Sequence, residues 1–179
     1  MITHAYVDLG LPSGLLWVTC NVGANAPEDY GDYFAWGETQ PKDAYYPANY
    51  TYSDNPAILP SDHDAATANW GDGWRMPTKE EWQELYNNTT VTWTQQNGVY
   101  GRLFTATNGN SLFLPAAGIR WDDGLYYAGI YGYYWSSSLN SDYPGRAWSF
   151  YFNSGGTNVV DYGRYEGRSV RAVRSARQN

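Results

Sequence analysis

A chain of 179 residues fits one domain, long enough to bury a core without metal or disulfide staples. Its single cysteine, Cys20, excludes an intramolecular disulfide and clusters built on paired thiolates. The net charge of −7 splits unevenly: Met1 to Leu139 carries −10 and Asn140 to Asn179 carries +3. An acidic body lacks the continuous basic face that non-specific nucleic-acid binding needs.

In chain order, Tyr6-Val7-Asp8-Leu9 reads as a short strand, Gly10 to Gly14 with Pro12 as a turn, and Leu15 to Thr19 as a second strand. Cys20, at the end of that apolar run, is expected to act as a small buried hydrophobe. Asn25 to Asp64 is rich in Pro, Asp and Tyr without sustained periodicity, which predicts an elaborated loop ordered by buried Tyr33, Phe34 and Trp36. A short helix is expected between Ser61 and Trp70, with Ser61 as its cap and Ala65, Ala66 and Ala68 favouring it. The clearest local signal follows Trp74-Arg75-Met76-Pro77. Thr78 and Glu81 form a capping box, and Trp82, Leu85 and Tyr86 line one face at helical spacing. Lys79, Glu80, Gln83 and Glu84 then form a solvated face rather than an acid/base pair.

The rest of the chain reads as β. Asn97-Gly98 and Asn108-Gly109 sit between strand-like segments as hairpin turns, giving a meander. Arg146 to Asn153 alternates, placing Trp148, Phe150 and Phe152 on a core face and Ala147, Ser149 and Tyr151 on a displayed face. Gly155-Gly156 turns the chain into Thr157 to Tyr162, and Ser169 to Arg174 closes the domain with Val170 and Val173 as its apolar positions. Of the tail arginines Arg164, Arg168, Arg171 and Arg174, which offer at most a local anion site, Arg171 and Arg174 are expected to pair with the acidic body. No run reaches membrane-spanning length, and Met1-Ile2-Thr3-His4 leads into the first strand without a basic region followed by an apolar one.

Aromatic residues make up 18% of the chain, with 18 Tyr and 9 Trp, yet Gly, Asn, Ser and Asp keep it polar. That palette suits a loop-rich β core, and it also suits a recognition surface, because Tyr offers large amphipathic contact at low entropy cost.

Several ordered motifs carry a resemblance. Val7-Asp8-Leu9-Gly10-Leu11-Pro12-Ser13-Gly14, Ala35-Trp36-Gly37-Glu38, Trp74-Arg75-Met76-Pro77-Thr78 with Glu81-Trp82, Tyr134-Trp135-Ser136-Ser137-Ser138 and Ser169-Val170-Arg171-Ala172-Val173 span nearly the whole chain. Together they resemble a paralogous family of surface proteins abundant in Bacteroidetes, similar to the formylglycine-generating-enzyme branch of C-type-lectin-like folds. The segment Tyr133 to Arg174 also looks like the variable region of proteins diversified by retroelements. The resemblance implies an α+β, C-type-lectin-like fold over residues 1–179. Its N- and C-terminal strands pair, here Ala5 to Leu9 with Val170 to Arg174, alongside one or two helices and a small twisted antiparallel sheet. It implies a location outside the cell, on its surface or on a phage virion.

On this reading the chain is a non-catalytic domain that binds a protein or glycan ligand on a cell surface, with no nucleic acid, membrane insertion, cofactor or metal. The expected ligand-binding residues are Asp142, Tyr143, Arg146, Ser149, Tyr151, Val160, Asp161, Tyr162, Glu166 and Arg168. Trp135, Trp148, Phe150, Phe152 and Tyr165 are expected to support them from beneath. Most of the surface positions hold residue types reachable from an asparagine codon by adenine changes. Glu166 departs from that pattern, as do Leu139 and Pro144 in needing two changes each. The alternative is a carbohydrate-binding adhesin stacking sugars on Tyr126, Tyr127, Tyr131 and Tyr133.

Enzyme chemistry finds little to work with. The paired late cysteines of the sulfatase-modifying oxidases are missing, as are the Glu-Pro-Asn and Trp-Asn-Asp tripeptides of calcium-dependent sugar binding. Asp122-Asp123 and the loop around Asp62 and Asp64 hold the carboxylates a cation would need. Ser136-Ser137-Ser138 has no flanking elbow glycines and reads as a framework run bonded to backbone.

Overall fold

A computed structural model describes residues 3–176. The outermost residues of the expected 1–179 domain, Met1, Ile2 and Arg177 to Asn179, lie outside the described residues.

Among the described residues, two α-helices and four small antiparallel sheets make up the fold. The chain enters through β1 (Tyr6–Asp8), turns at Leu11 to Gly14, and returns as β2 (Leu16–Val18). At the far end β11 (Val173–Arg174) pairs with β2, giving the order β1-β2-β11. The expected direct pairing of Ala5 to Leu9 with Val170 to Arg174 is therefore corrected. The tight turn folds β2 back onto β1, so Val173 meets Trp17, and Trp17 is paired with Val7 on its other side.

The two helices follow their local chemistry. α1 (Ala65–Trp70) is capped by Asp64, whose Oδ1 accepts from the Ala66 and Thr67 amides while Oδ2 accepts from Met76 N. Ser61 instead opens a separate 3-10 turn, so its expected capping role falls to Asp64. α2 (Lys79–Asn87) has the predicted capping box, with Glu81 N donating to Thr78 Oγ1 and Thr78 N donating to Glu81 Oε1. Arg75 adds a two-pronged ion pair to Glu81, both contacts at 2.6 Å. α2 buries Trp82 and Leu85, whereas Tyr86, expected on the same face, is exposed.

β3 (Thr89–Gln96), β4 (Val99–Ala106) and β5 (Ser111–Pro115) form the meander. Asn97 and Gly98, with φ of 49° and 81°, make the first turn as the Asn-Gly pair predicts. β6 (Ile119–Trp121) and β7 (Gly124–Tyr126) form a short hairpin. The last sheet has the order β10-β9-β8, from β8 (Gly132–Leu139), β9 (Arg146–Asn153) and β10 (Gly156–Gly163).

Trp82 sits at the centre of the core. It stacks on Phe150 at 4.7 Å and 2°, and lies 4.8 Å from Trp17 and 5.8 Å from Tyr134. This joins α2, the terminal sheet and the inner face of the last sheet, and each such ring buried is worth about 1.5–3 kcal/mol. The long loop is held against the other face of that sheet. Phe34 and Arg168 exchange backbone hydrogen bonds, Trp36 N donates to Arg164 O, and the indoles of Trp36 and Trp135 donate to Ser136 O and Phe34 O. Tyr33, Phe34 and Trp36 are buried as the sequence predicts.

Candidate functional site

Residues expected at the ligand surface divide between the β8–β9 loop and the two faces of the last sheet. The loop is built on Asn140, whose Oδ1 accepts from the amides of Asp142 and Tyr143 while its Nδ2 donates to Asp161 Oδ2. Asp142, Tyr143 and Arg146 are exposed, Tyr143 at 68%. Arg146 reaches Asp161 at 3.7 Å, so four of the ten residues gather around this loop.

The register places Tyr151, Val160 and Tyr162 on the outer face, opposite Phe150, and all three are partly exposed. Glu166 is partly exposed as well. Asp161 lies across from Trp148 and so faces the other way from Tyr162.

Two expected surface residues are buried. Ser149 is 0% exposed and its Oγ donates to Tyr134 O. Arg168 is also 0% exposed, with its guanidinium 4.1 Å from the Tyr162 ring, 4.7 Å from Tyr133 and 4.9 Å from Trp135. The segment after β10 runs back along the free edge of β8, with Trp135 N donating to Ser169 O and Ser169 N donating to Tyr133 O, and from there the Arg168 side chain turns in over the rings of the outer face. Arg168 pairs with Glu166, but its Nε and Nη1 have no partner among the described residues, so the surrounding rings carry much of its compensation. Burial pulls the Arg168 pKa down, and Glu166 opposes that shift.

Of the expected supports, Trp135, Phe150 and Phe152 are buried. Trp148 is only half-buried, its ring covered by Lys79 Nζ at 4.7 Å. Tyr165 is half-exposed and lines a cleft instead.

That cleft, of about 370 Å3, was not foreseen from sequence. The long loop forms one wall through Pro47, Tyr50 and Tyr52, and the segments around Pro144 and Tyr165 form the other. Arg164 is its floor. All five of its N–H groups are used: Nε on Tyr50 Oη, Nη1 on Asn55 Oδ1 and Pro144 O, and Nη2 on Tyr52 O and Asp54 O. The guanidinium also stacks 4.7 Å from Trp36. Burial raises the Tyr50 hydroxyl pKa to about 12, and the Arg164 hydrogen bond opposes that. The unusual density of Tyr and Pro between Asn25 and Asp64 was the available signal, but the partner wall lies about a hundred residues away.

Aromatic rings also run in contact from the β6–β7 hairpin to the outer face. Trp121 stacks on Tyr126 at 4.1 Å, Tyr127 lies 5.9 Å from Trp121 and 4.9 Å from Tyr131, and Tyr133 lies 6.2 Å from Tyr131 and 5.7 Å from Tyr162. Of the four tyrosines expected to stack on sugars, Tyr127 is 43% exposed but Tyr133 is 9% exposed, covered by Arg168 and its neighbouring rings.

The remaining tail arginines do not converge on an anion site. Arg174 pairs with Asp72 at 3.2 Å, as expected. Among the described residues Arg171 pairs with no carboxylate: it donates to Asn21 Oδ1 and to the carbonyls of Val18, Thr19 and Phe113, because the closing segment carries it into the interior. Ser136 Oγ donates to Trp148 O and accepts from Ser138 N, Ser137 Oγ donates to Pro77 O, and Ser138 Oγ accepts from Lys79 N, so the serine run is bonded to backbone throughout. His4 stacks on Trp70 and His63 on Tyr52. Cys20 is half-buried rather than fully buried. Among the described residues no three His, Cys, Asp or Glu side chains gather as a cation site, and no helix is long and apolar enough to cross a membrane.

Paired short strands at the chain ends, two helices and a small sheet carrying surface loops define a C-type-lectin-like domain. The family model for the Lcl C-terminal domain matches residues 10–174, and the chain belongs to that family. No curated protein and no solved structure matches the chain.

Proposed function

We propose that this domain is a non-catalytic display surface, which recognises a protein or other ligand on a cell surface through the β8–β9 loop and the outer face of the last sheet. The observation that carries this reading is a separation of roles along one segment. Side chains of Asp142, Tyr143 and Arg146 project into solvent, while neighbours that fix their backbone, Asn140 and Arg164, are buried and hydrogen-bonded. Such a loop accepts new side chains without refolding. Membership of the Lcl C-terminal domain family and the resemblance of Tyr133 to Arg174 to a retroelement-diversified region support the same division.

On this reading the protein works outside the cell, on its surface or on a virion, and Tyr and Arg serve as the anchors of contact. The serine run is bonded to backbone and both histidines are stacked on rings, an engagement that fits a binding framework. The test is binding of the labelled domain to a panel of cells. Tyr143→Ser with Arg146→Ser, and separately Tyr151→Ala with Tyr162→Ala, should each lower binding while the fold persists. Retention of full binding by both pairs would sink the proposal. A near-copy of the DNA for Tyr134 to Arg174, differing at adenines and lying beside a reverse transcriptase, is the expected genomic companion of diversification.

A further inference from the structure

The contiguous rings have properties that the display role leaves unused. Tyr127 adopts a left-handed backbone, with φ of 63°, which is costly for a non-glycine residue. It is held there from behind. A Cβ on Gly118 would lie 2.2 Å from Tyr126 O, and Gly118 N donates to Tyr131 O while Gly129 N donates to Ala116 O. The turn that carries Tyr127 and Tyr131 is thus fastened to the body, and the strain presents an aromatic ring outward.

The rings do not form a flat platform. Tyr127 is inclined at 60° to Trp121 and 69° to Tyr131, and Tyr133 at 66° to Tyr131 and 85° to Tyr162. From Tyr127 to Tyr162 successive rings meet face to edge in direct contact, Tyr133 lying beneath Arg168, and only Trp121 and Tyr126 stack flat, at 12°. The hydroxyls of Tyr126, Tyr127, Tyr131 and Tyr162 have no hydrogen-bond partner among the described residues, so they are free to donate. At the hairpin end stand Asp122 and Asp123, both exposed and with no ion pair among the described residues.

We infer that this ribbon binds a proline-rich segment in the polyproline II conformation, with a basic residue of that segment meeting Asp122 and Asp123. A polyproline II chain has no internal hydrogen bonds, so its carbonyls seek donors such as the tyrosine hydroxyls, and its prolines pack onto exposed aromatic rings such as Tyr127. The contour from Trp121 to Tyr162 is roughly 20 Å, which about six or seven residues span at ~3.1 Å each. A neutral sugar chain stacks best on open, flat ring faces, and an anionic one is repelled by the paired aspartates. This inference rests on the display reading, because Tyr162 belongs to both surfaces.

The test uses the whole chain and a fluorescent oligoproline of about ten residues with an arginine at each end. Saturable binding that strengthens at low salt is expected. Tyr127→Ser with Tyr131→Ser should weaken it at least tenfold, and Asp122→Asn with Asp123→Asn should weaken it several-fold and remove the salt dependence. Asn suits position 122 because it tolerates the left-handed backbone there, where φ is 49°. Near-UV circular dichroism of each variant should match the parent. No oligoproline binding, or binding indifferent to the tyrosine pair, overturns the inference. Binding of a neutral glucose oligomer in place of oligoproline, lost in the same tyrosine variant, would also overturn it and make the ribbon a glycan platform. If oligoproline fails while Tyr143→Ser with Arg146→Ser still lowers cell binding, only this inference falls and the display reading stands.

Discussion

Phe150 and Tyr151 are neighbours in β9 and face opposite ways. On the inner face Phe150 stacks flat against Trp82, with Phe104 at 5.9 Å and Phe152 at 6.1 Å, and the contacts are apolar throughout. On the outer face Tyr151 lies 5.1 Å from Tyr133, in a group of hydroxylated rings whose centre is the Arg168 guanidinium. Around Phe150 the inner face is dry and uncharged, its charges lying only at the Trp148 end, whereas the outer face wraps a charge in rings and leaves the ring edges wet. The inner face accounts for cohesion, and the outer for a stiff surface on which side chains can meet a partner.

The largest perturbation should come from the dry face. Phe150→Ala leaves a cavity between Trp82 and Phe104, with an expected loss of about 3–5 kcal/mol in urea unfolding. A loss no greater than that of an outer-face tyrosine would break the distinction. Arg168→Lys replaces a planar, weakly hydrated cation with a compact, strongly hydrated one among three rings, and should cost about 2 kcal/mol. An unchanged midpoint would mean that the rings hold themselves.

Glu81→Gln sharpens the comparison by loosening the helix that covers the inner face, at an expected cost of about 1–2 kcal/mol near neutrality. Burial alone would raise the Glu81 pKa, but Arg75 and the Thr78 amide outweigh it and hold the carboxyl below its ordinary 4.5. A lowered folded-state pKa means stability that is present above the unfolded value and lost as pH falls through the folded one. The parent should therefore lose more stability than the variant between neutrality and pH values below 4.5, measured by thermal unfolding across pH. Tyr143→Ala should do least to the fold, within about 0.5 kcal/mol, while reducing cell-surface binding.

What the sequence disclosed were features set within a few residues of each other. The Thr78–Glu81 box, the Asn97-Gly98 turn and the alternation of β9 each depend on local spacing, and each appears where expected. Alternation says that Ser149 and Phe150 face opposite ways, but not what covers each face. On the outer face the Arg168 side chain and the long loop at Phe34 supply the cover, and a serine gives no sign of it. Arg168 misled for a related reason, since an arginine is seldom fully buried, and the rings that make burial tolerable lie at Tyr133, Trp135 and Tyr162. Ser61 and Asp64 are both good caps, and the 3-10 turn that separates them is not marked by either. The cleft over Arg164 needs two walls that meet only after folding.

Arg164 also bears on how freely that cleft can change. Three of its five acceptors are main-chain carbonyls, those of Tyr52, Asp54 and Pro144, which every residue type supplies. The walls are consequently held in shape by one side chain, while their exposed side chains, Ser53 among them, are open to change. For a protein engineer this separates shape from lining: a library across the cleft walls can be drawn widely, provided Arg164, Asn55, Tyr50 and the buried Tyr52 are left alone.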